Sequence, residues 1–199
     1  MKCFLWEEHL FFEINKKEEI TSNVYIISDY EEDMIRKTLD NAGHLWLDDN
    51  NEIKWSGKRP DEAYVWDDLA KTWVIDDELF RARLETQQDL MWERIKERRL
   101  RAITSGVYIT SVDKNFHTDT ISVTTYSTVA GMIALDNYTP IQWKTMDNTW
   151  VLLTEALFKE LQTSMSNKTA ANYMVAEQHK VNMLLLENPL EYDYTTNWE

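Results

Sequence analysis

Four histidines and one cysteine are the residues with which this chain could do metal or covalent chemistry, and their spacing argues against both. His9, His44, His117 and His179 fall in four different predicted elements, and none has a histidine or cysteine four residues away. A zinc site gathers three or four such ligands, commonly from close pairs on one element, and that pattern is missing. Cys3 stands near a chain start expected to fray, without the local signature of a nucleophile. There is no Gly-rich phosphate loop and no Gly-x-Ser-x-Gly. "DDNNE" (Asp48 to Glu52) offers oxygen ligands, but it lacks the central glycine and the twelfth-position glutamate of a calcium loop, so it reads as a hairpin turn. Carboxylate pairs are common in a chain with 35 acids, and none is diagnostic of glycoside hydrolysis. The expectation is a non-enzyme: no catalytic residue, no metal ligand, no cofactor.

What the chain has in excess is aromatic surface, with nine Trp and nine Tyr. "IKWSGKRPDEAYVWDDLAKTWV" (Ile53 to Val74) places Trp55, Trp66 and Trp73 among charged residues. A buried aromatic removes roughly 150–250 Å² from water, and one left outside is a good interface anchor. Such rings could form a core, a sugar-binding cleft or a protein-binding face. The alternation around them fits half-buried sheet faces best.

Charge narrows the partners. The net charge is −14, and residues 1–77 carry 19 acidic against 9 basic side chains. Such a surface repels phosphates and anionic lipid, so neither nucleic acid nor membrane is an expected partner. The one basic run, "RIKERRLR" (Arg94 to Arg101), contains Glu97 and follows Glu93, and reads as a solvated helix face. A single cysteine and no apolar run approaching the ~20 residues of a membrane span fit a reducing cytoplasm, where the sequons at Asn137 and Asn167 mean nothing.

The elements that position these residues are short. "LFFEIN" and "NVYIIS" read as strands, and "SDYE" (Ser28 to Glu31) as a capping box. The helix after it turns Met34, Ile35 and Leu39 to one side and ends where Gly43 can take a left-handed cap. "HLWLDDNNEIKWSG" and "AYVWDDLAKTWV" read as hairpins, the second pairing Trp66 with Trp73. A long amphipathic helix spans about Asp77 to Ser105, with Phe80, Leu84, Gln87, Met91, Ile95, Arg98 and Ala102 along one stripe. Beyond Gly106, "VYITSVDKNFHTD" is a hairpin turning at Asp113 to Asn115. Thr118 and Asp119 cap a helix facing inward with Tyr126, Val129, Ala130 and Ile133, although "TISVTTYSTV" is as strand-like as helix-like. "IQWKTMDNTWVLL" is a hairpin turning at Asp147-Asn148, with Trp143 expected beneath the last helix. That helix is capped by Thr154, runs through Leu186 and stops near Pro189. The fold class is α+β: an amino-terminal hairpin-rich lobe (1–77), a linking helix (78–105), a second lobe (106–188) and a tail segment (189–199).

Two stretches resemble known families. "YIISDYEEDMIRKTLDNAGHLWLDDNNEIKWSGKRPDEAYVWDDLAKTWV" resembles the amino-terminal part of bacteriophage tail-fibre assembly proteins, with Ile27-Ser28, Gly43, Pro60, Trp66 and Trp73 in that pattern's order. From about Leu90 to Leu186 the chain resembles a phage-tail domain of unassigned function. The marks are "WERIKERRLRAITSGV", "NFHTD" and "IQWKTMDNTWVLLT", with Trp92, Arg94, Arg98, Gly106, Phe116, Asp119, Trp143, Asp147, Val151 and Thr154 at the matching places. The helix after Asp119 carries less charge than that pattern.

The resemblance implies a tail-fibre assembly chaperone or fibre-tip-associated protein, acting in the host cytoplasm by binding a phage tail-fibre or other tail protein. The alternatives are a permanent component of the virion tail or baseplate and a carbohydrate-binding adhesin module; a homo-oligomer is left open. Trp55, with Arg59 and Pro60 in the loop after it, is the first candidate contact. Tyr192, Tyr194 and Trp198 form the second, as a tail that becomes fixed on binding.

Overall fold

The computed structural model describes residues 1–14 and 23–199. The fold is α+β, and the chain divides into two compact units, Met1–Arg83 and Leu84–Glu199.

In the first unit β1 (Lys2–Leu5), β2 (Leu10–Glu13) and β3 (Val24–Ile26) form an antiparallel sheet in the order β2-β1-β3. Only the outer two strands were expected from sequence; Asn15, at the end of the "LFFEIN" run, lies outside the described residues. The correction concerns Cys3. It is fully buried in the central strand rather than at a frayed start, with Phe4 buried beside it.

Helix α1 (Asp29–Asp40) begins with the capping box: the Ser28 hydroxyl accepts the Glu31 N–H at 3.2 Å, and the Glu31 carboxylate accepts the Ser28 N–H at 2.7 Å. These bonds satisfy donors that a helix start otherwise leaves open. Ile35 and Thr38 are its buried face. At its end the left-handed residue is Ala42 (φ 53°), not Gly43 as expected. Gly43 serves a different need, because a Cβ there would overlap the Gly57 carbonyl and the Thr38 methyl.

Two hairpins follow, β4 (Leu45–Leu47) with β5 (Ile53–Trp55), and β6 (Tyr64–Asp67) with β7 (Thr72–Ile75). The "DDNNE" segment is a turn, as expected. Asp48 Oδ1 accepts the N–H groups of Asn50 and Glu52 at 3.0 and 2.9 Å, and Oδ2 faces the Lys54 ammonium at 3.3 Å.

Helix α2 (Asp77–Thr104) carries the expected stripe: Met91, Ile95 and Ala102 are buried, while Phe80, Leu84, Gln87 and Arg98 are half-buried. Gly106 closes it with φ 97°, where a side chain would also strike Met146. The second unit continues with β8 (Val107–Ile109), β9 (Lys114–Phe116), α3 (Thr120–Ala134), β10 (Ile141–Lys144), β11 (Trp150–Leu153) and α4 (Glu155–Met183). Its main core joins Val107, Ile109, Phe116, Tyr126, Val129, Leu153, Leu157, Phe158 and Leu161.

The divided propensity of "TISVTTYSTV" resolves as helix. Asp119 accepts the N–H groups of Ile121 and Ser122, and Tyr126 and Val129 enter the core. Thr124, Thr125 and Ser127 satisfy their hydroxyls on their own helix's carbonyls, an option that lets such residues sit mid-helix. Ala130, expected to face inward, is exposed. Trp143 is half-buried and stacks on Tyr126 of α3, centroids 4.8 Å apart, rather than lying buried beneath α4.

Candidate protein-binding surfaces

The first candidate contact gathers around the end of β5. Trp55 is half-buried against the cluster of Phe4, Ile27 and Ile35, and meets Tyr30 edge-on at 6.3 Å. Its neighbours in the loop are held within their own chain. Arg59 donates through Nε to the Tyr64 carbonyl at 2.7 Å and through Nη2 to the Glu62 carbonyl at 2.6 Å. Its guanidinium therefore braces the loop, leaving Pro60 as the exposed member. Asp61 in the same loop pairs with Arg83.

Trp66 and Trp73 are half-buried, as Trp55 is. They pair directly across the β6–β7 ladder, 5.4 Å apart and edge-to-face. His44 stacks on Trp66 at 4.7 Å, and Trp46 leans on the same ring at 5.4 Å. The indoles thus spend much of their surface on one another, a use of aromatic pairs worth about 0.5–1.5 kcal/mol each beyond area burial.

The second candidate contact is the tail, and the structure gives its rings an internal role. Leu190, Tyr192, Tyr194 and Trp198 pack on Met91, Ile95, Ala176 and Met183, the seam between α2 and α4. His179, buried on α4, stands 2.8 Å from the Tyr192 hydroxyl through Nδ1 and 3.0 Å from the Thr196 carbonyl through Nε2, and stacks on Trp198 at 5.2 Å. Fully buried Asn172 accepts the Glu199 N–H at 3.2 Å and donates to the Lys168 carbonyl at 2.8 Å. The tail, expected to become fixed on binding a partner, is held within the chain and completes this cluster.

His179 and Asn172 were missed as tail-holding residues, although both continue the Asn172–Ala176–His179–Met183 stripe at four- and three-residue spacings. Lys168, on the same helix, donates to the Gly106 carbonyl at 2.8 Å and the Ser105 hydroxyl at 3.1 Å. Burial pushes its pKa down, with Glu199 pulling the other way.

The basic run is dispersed. Lys96 pairs with Glu93, Arg101 with Glu97, and Arg98 and Arg99 lie over the rings of Trp198 and Tyr173. Among the described residues no three His, Cys, Asp or Glu side chains gather as a metal site, and no helix is long and apolar enough to cross a membrane.

The outward side of α3 carries no charged residue and leaves Ile121 80% and Leu135 79% exposed at or just beyond its ends, with threonines between them. Met174 and Val181 on α4, and Leu185 just beyond it, are likewise exposed.

Residues 85–196 match the family described as a domain of unknown function, DUF4376, and the chain belongs to that family. No curated protein and no solved structure matches the chain.

Proposed function

We propose that this chain is a bacteriophage tail protein that works by protein–protein binding, as a tail-fibre assembly chaperone or a fibre-tip-associated protein. The likeness of residues 25–74 to tail-fibre assembly proteins supports the reading, through the order of Ile27-Ser28, Gly43, Pro60, Trp66 and Trp73. The observation that carries the binding part is the exposed, uncharged face of α3 in a chain of net charge −14. Ile121, Met132 and Leu135 fall on one side of it with threonines between them, and large apolar side chains left in water there suit a protein contact. Fibres are slow, high-contact-order folds that expose strand edges while they assemble. An acidic protein with apolar contact faces is suited to covering them, in the host cytoplasm during assembly.

Coexpression with the neighbouring fibre gene, followed by pull-down, tests the reading. Recovery of the fibre with wild type, and its loss with Ile121→Glu and Leu135→Glu in a folded protein, is the expected result; no recovery overturns it. Mass spectrometry of purified virions separates a transient chaperone from a permanent tail or baseplate component. Saccharide binding on a glycan array would favour an adhesin module instead.

A further inference from the structure

Two strand edges in the first unit border one cleft. Among the described residues β3 is the outer strand of its sheet, and β5 pairs only with β4. In an antiparallel ladder, alternate residues turn both backbone polar groups toward the partner strand or away from it. The Ile27 N–H bonds to the Lys2 carbonyl and the Trp6 N–H to the Asn23 carbonyl. With Cys3 opposite Ile26 and Leu5 opposite Val24, it is Val24 and Ile26 whose backbone groups point away from β1.

The same reasoning applies to β5. Asp48 N–H bonds to the Glu52 carbonyl and Ser56 N–H to the His44 carbonyl, while Leu47 faces Ile53 and Leu45 faces Trp55. Ile53 and Trp55 therefore direct their N–H and C=O groups away from β4. A cleft of about 520 Å³ is lined by Tyr25, Ile26 and Ile27 on the β3 side and by residues 51–55 on the β5 side.

We propose that this cleft accepts an extended segment of a partner protein as an added β-strand, bonded to β3, β5 or both. Open strand edges specify an extended backbone more strictly than any other ligand, because they offer alternating donors and acceptors at the strand repeat. Side chains set the rest. Ile27, Ile53 and Trp55 belong to the apolar cluster of this unit, so alternate residues of the incoming strand are apolar. On the rim Glu31 is held by Ser28, and Glu52 and Asp48 by Lys54, so the charge preference comes from the whole unit, where residues 1–77 carry 19 acidic against 9 basic side chains, and the intervening residues are basic.

This inference gives a binding mode to the protein-binding reading above and rests on it. Its test uses no phage sequence, so the two fail separately. The probe is the synthetic heptapeptide Lys-Val-Lys-Val-Lys-Val-Lys, with a block-ordered peptide of the same composition and an N-methylated copy as controls. Amide exchange followed by NMR is expected to show Val24, Ile26, Ile53 and Trp55 exchanging freely in the protein alone. The alternating peptide should slow them at least tenfold, and neither control should. Ile53→Pro removes only an N–H that points into the cleft, a position where edge strands tolerate proline, and should weaken binding at least tenfold. If that variant misfolds, the N-methylated peptide makes the same test from the ligand's side. Protection of these amides before peptide is added, no protection after it, or equal binding of the N-methylated copy would each overturn the proposal.

Discussion

His179 on α4 and Tyr192 in the tail meet through a 2.8 Å hydrogen bond at the ring's Nδ1. Nε2 faces the Thr196 carbonyl, which can only accept, so Nε2 carries a hydrogen. The Tyr192 hydroxyl, which can both donate and accept, completes the pairing at Nδ1. Both ring nitrogens are satisfied on tail residues, and Trp198 covers the ring face.

The tail is therefore expected to behave as part of the second unit's core. His179→Ala removes both bonds and the stack, and should cost about 2–4 kcal/mol, read as a lower urea midpoint. Truncation after Asn188 should lower the midpoint further and release the tail's hold on Met91 and Met183. A truncated protein with an unchanged midpoint would show that the contacts add nothing to stability.

Asp147, in the β10–β11 turn, should contribute to the acid response of this unit. Its carboxylate accepts from the Lys114 ammonium at 2.6 Å and from the hydroxyls of Thr145 and Thr149 at 2.6 and 2.8 Å, and these bonds hold its pKa far below the usual carboxylate range. A depressed folded-state pKa gives stability that is fully present above the unfolded value, near 4, and lost as pH falls below it toward the folded value. Wild type should therefore lose Tm between about pH 5 and pH 2. Asp147→Asn should start from a lower Tm at neutral pH and show a shallower fall. Parallel curves for the two proteins would assign the acid response to other groups.

The particular elements show what periodicity could and could not reveal. The α2 stripe was legible because a long helix repeats its signal many times, so even Gln87 and Arg98 did not obscure it. The capping box and the turns at Asp48 and Asp147 were legible because local hydrogen bonding depends only on near neighbours. β1 was not, since four residues carry little period and its burial comes from strands on both sides. The tail rings read as external anchors from sequence for a related reason: what fixes them is His179 and Asn172, whose approach is tertiary. The strand-edge cleft was invisible in principle, because it is a relation between two edges rather than a property of either segment.

Trp143 and Tyr126 offer a graded test of the main core. Trp143 remains half-exposed, so Trp143→Ala should cost about 2 kcal/mol, below the 3–5 kcal/mol of a fully buried ring. Tyr126→Phe keeps the stack and removes the hydroxyl, with its 3.1 Å bond to the His117 carbonyl and its contact with the Trp143 side chain, for a cost of about 1 kcal/mol. The double variant should cost less than the sum, because the contact between the Tyr126 hydroxyl and Trp143 is lost in either single variant. Thermal or urea unfolding of the three proteins measures this, and a Trp143→Ala variant as stable as wild type would remove that ring from the core.

Two glycines on helices or their ends should respond in opposite directions to the same substitution. At Gly43 an added methyl meets the Gly57 carbonyl and Thr38, whose side chain is itself buried, so neither neighbour yields without moving backbone. Gly43→Ala should cost about 1–3 kcal/mol through overpacking. At Gly131, inside α3, the methyl enters open space and φ is not in the left-handed region. There only the helix propensity changes, and Gly131→Ala should gain up to about 1 kcal/mol. Urea midpoints of the two variants, followed by a signal from each unit, are the measurement. A destabilised Gly131→Ala would mean that something outside the single chain already occupies that face of α3.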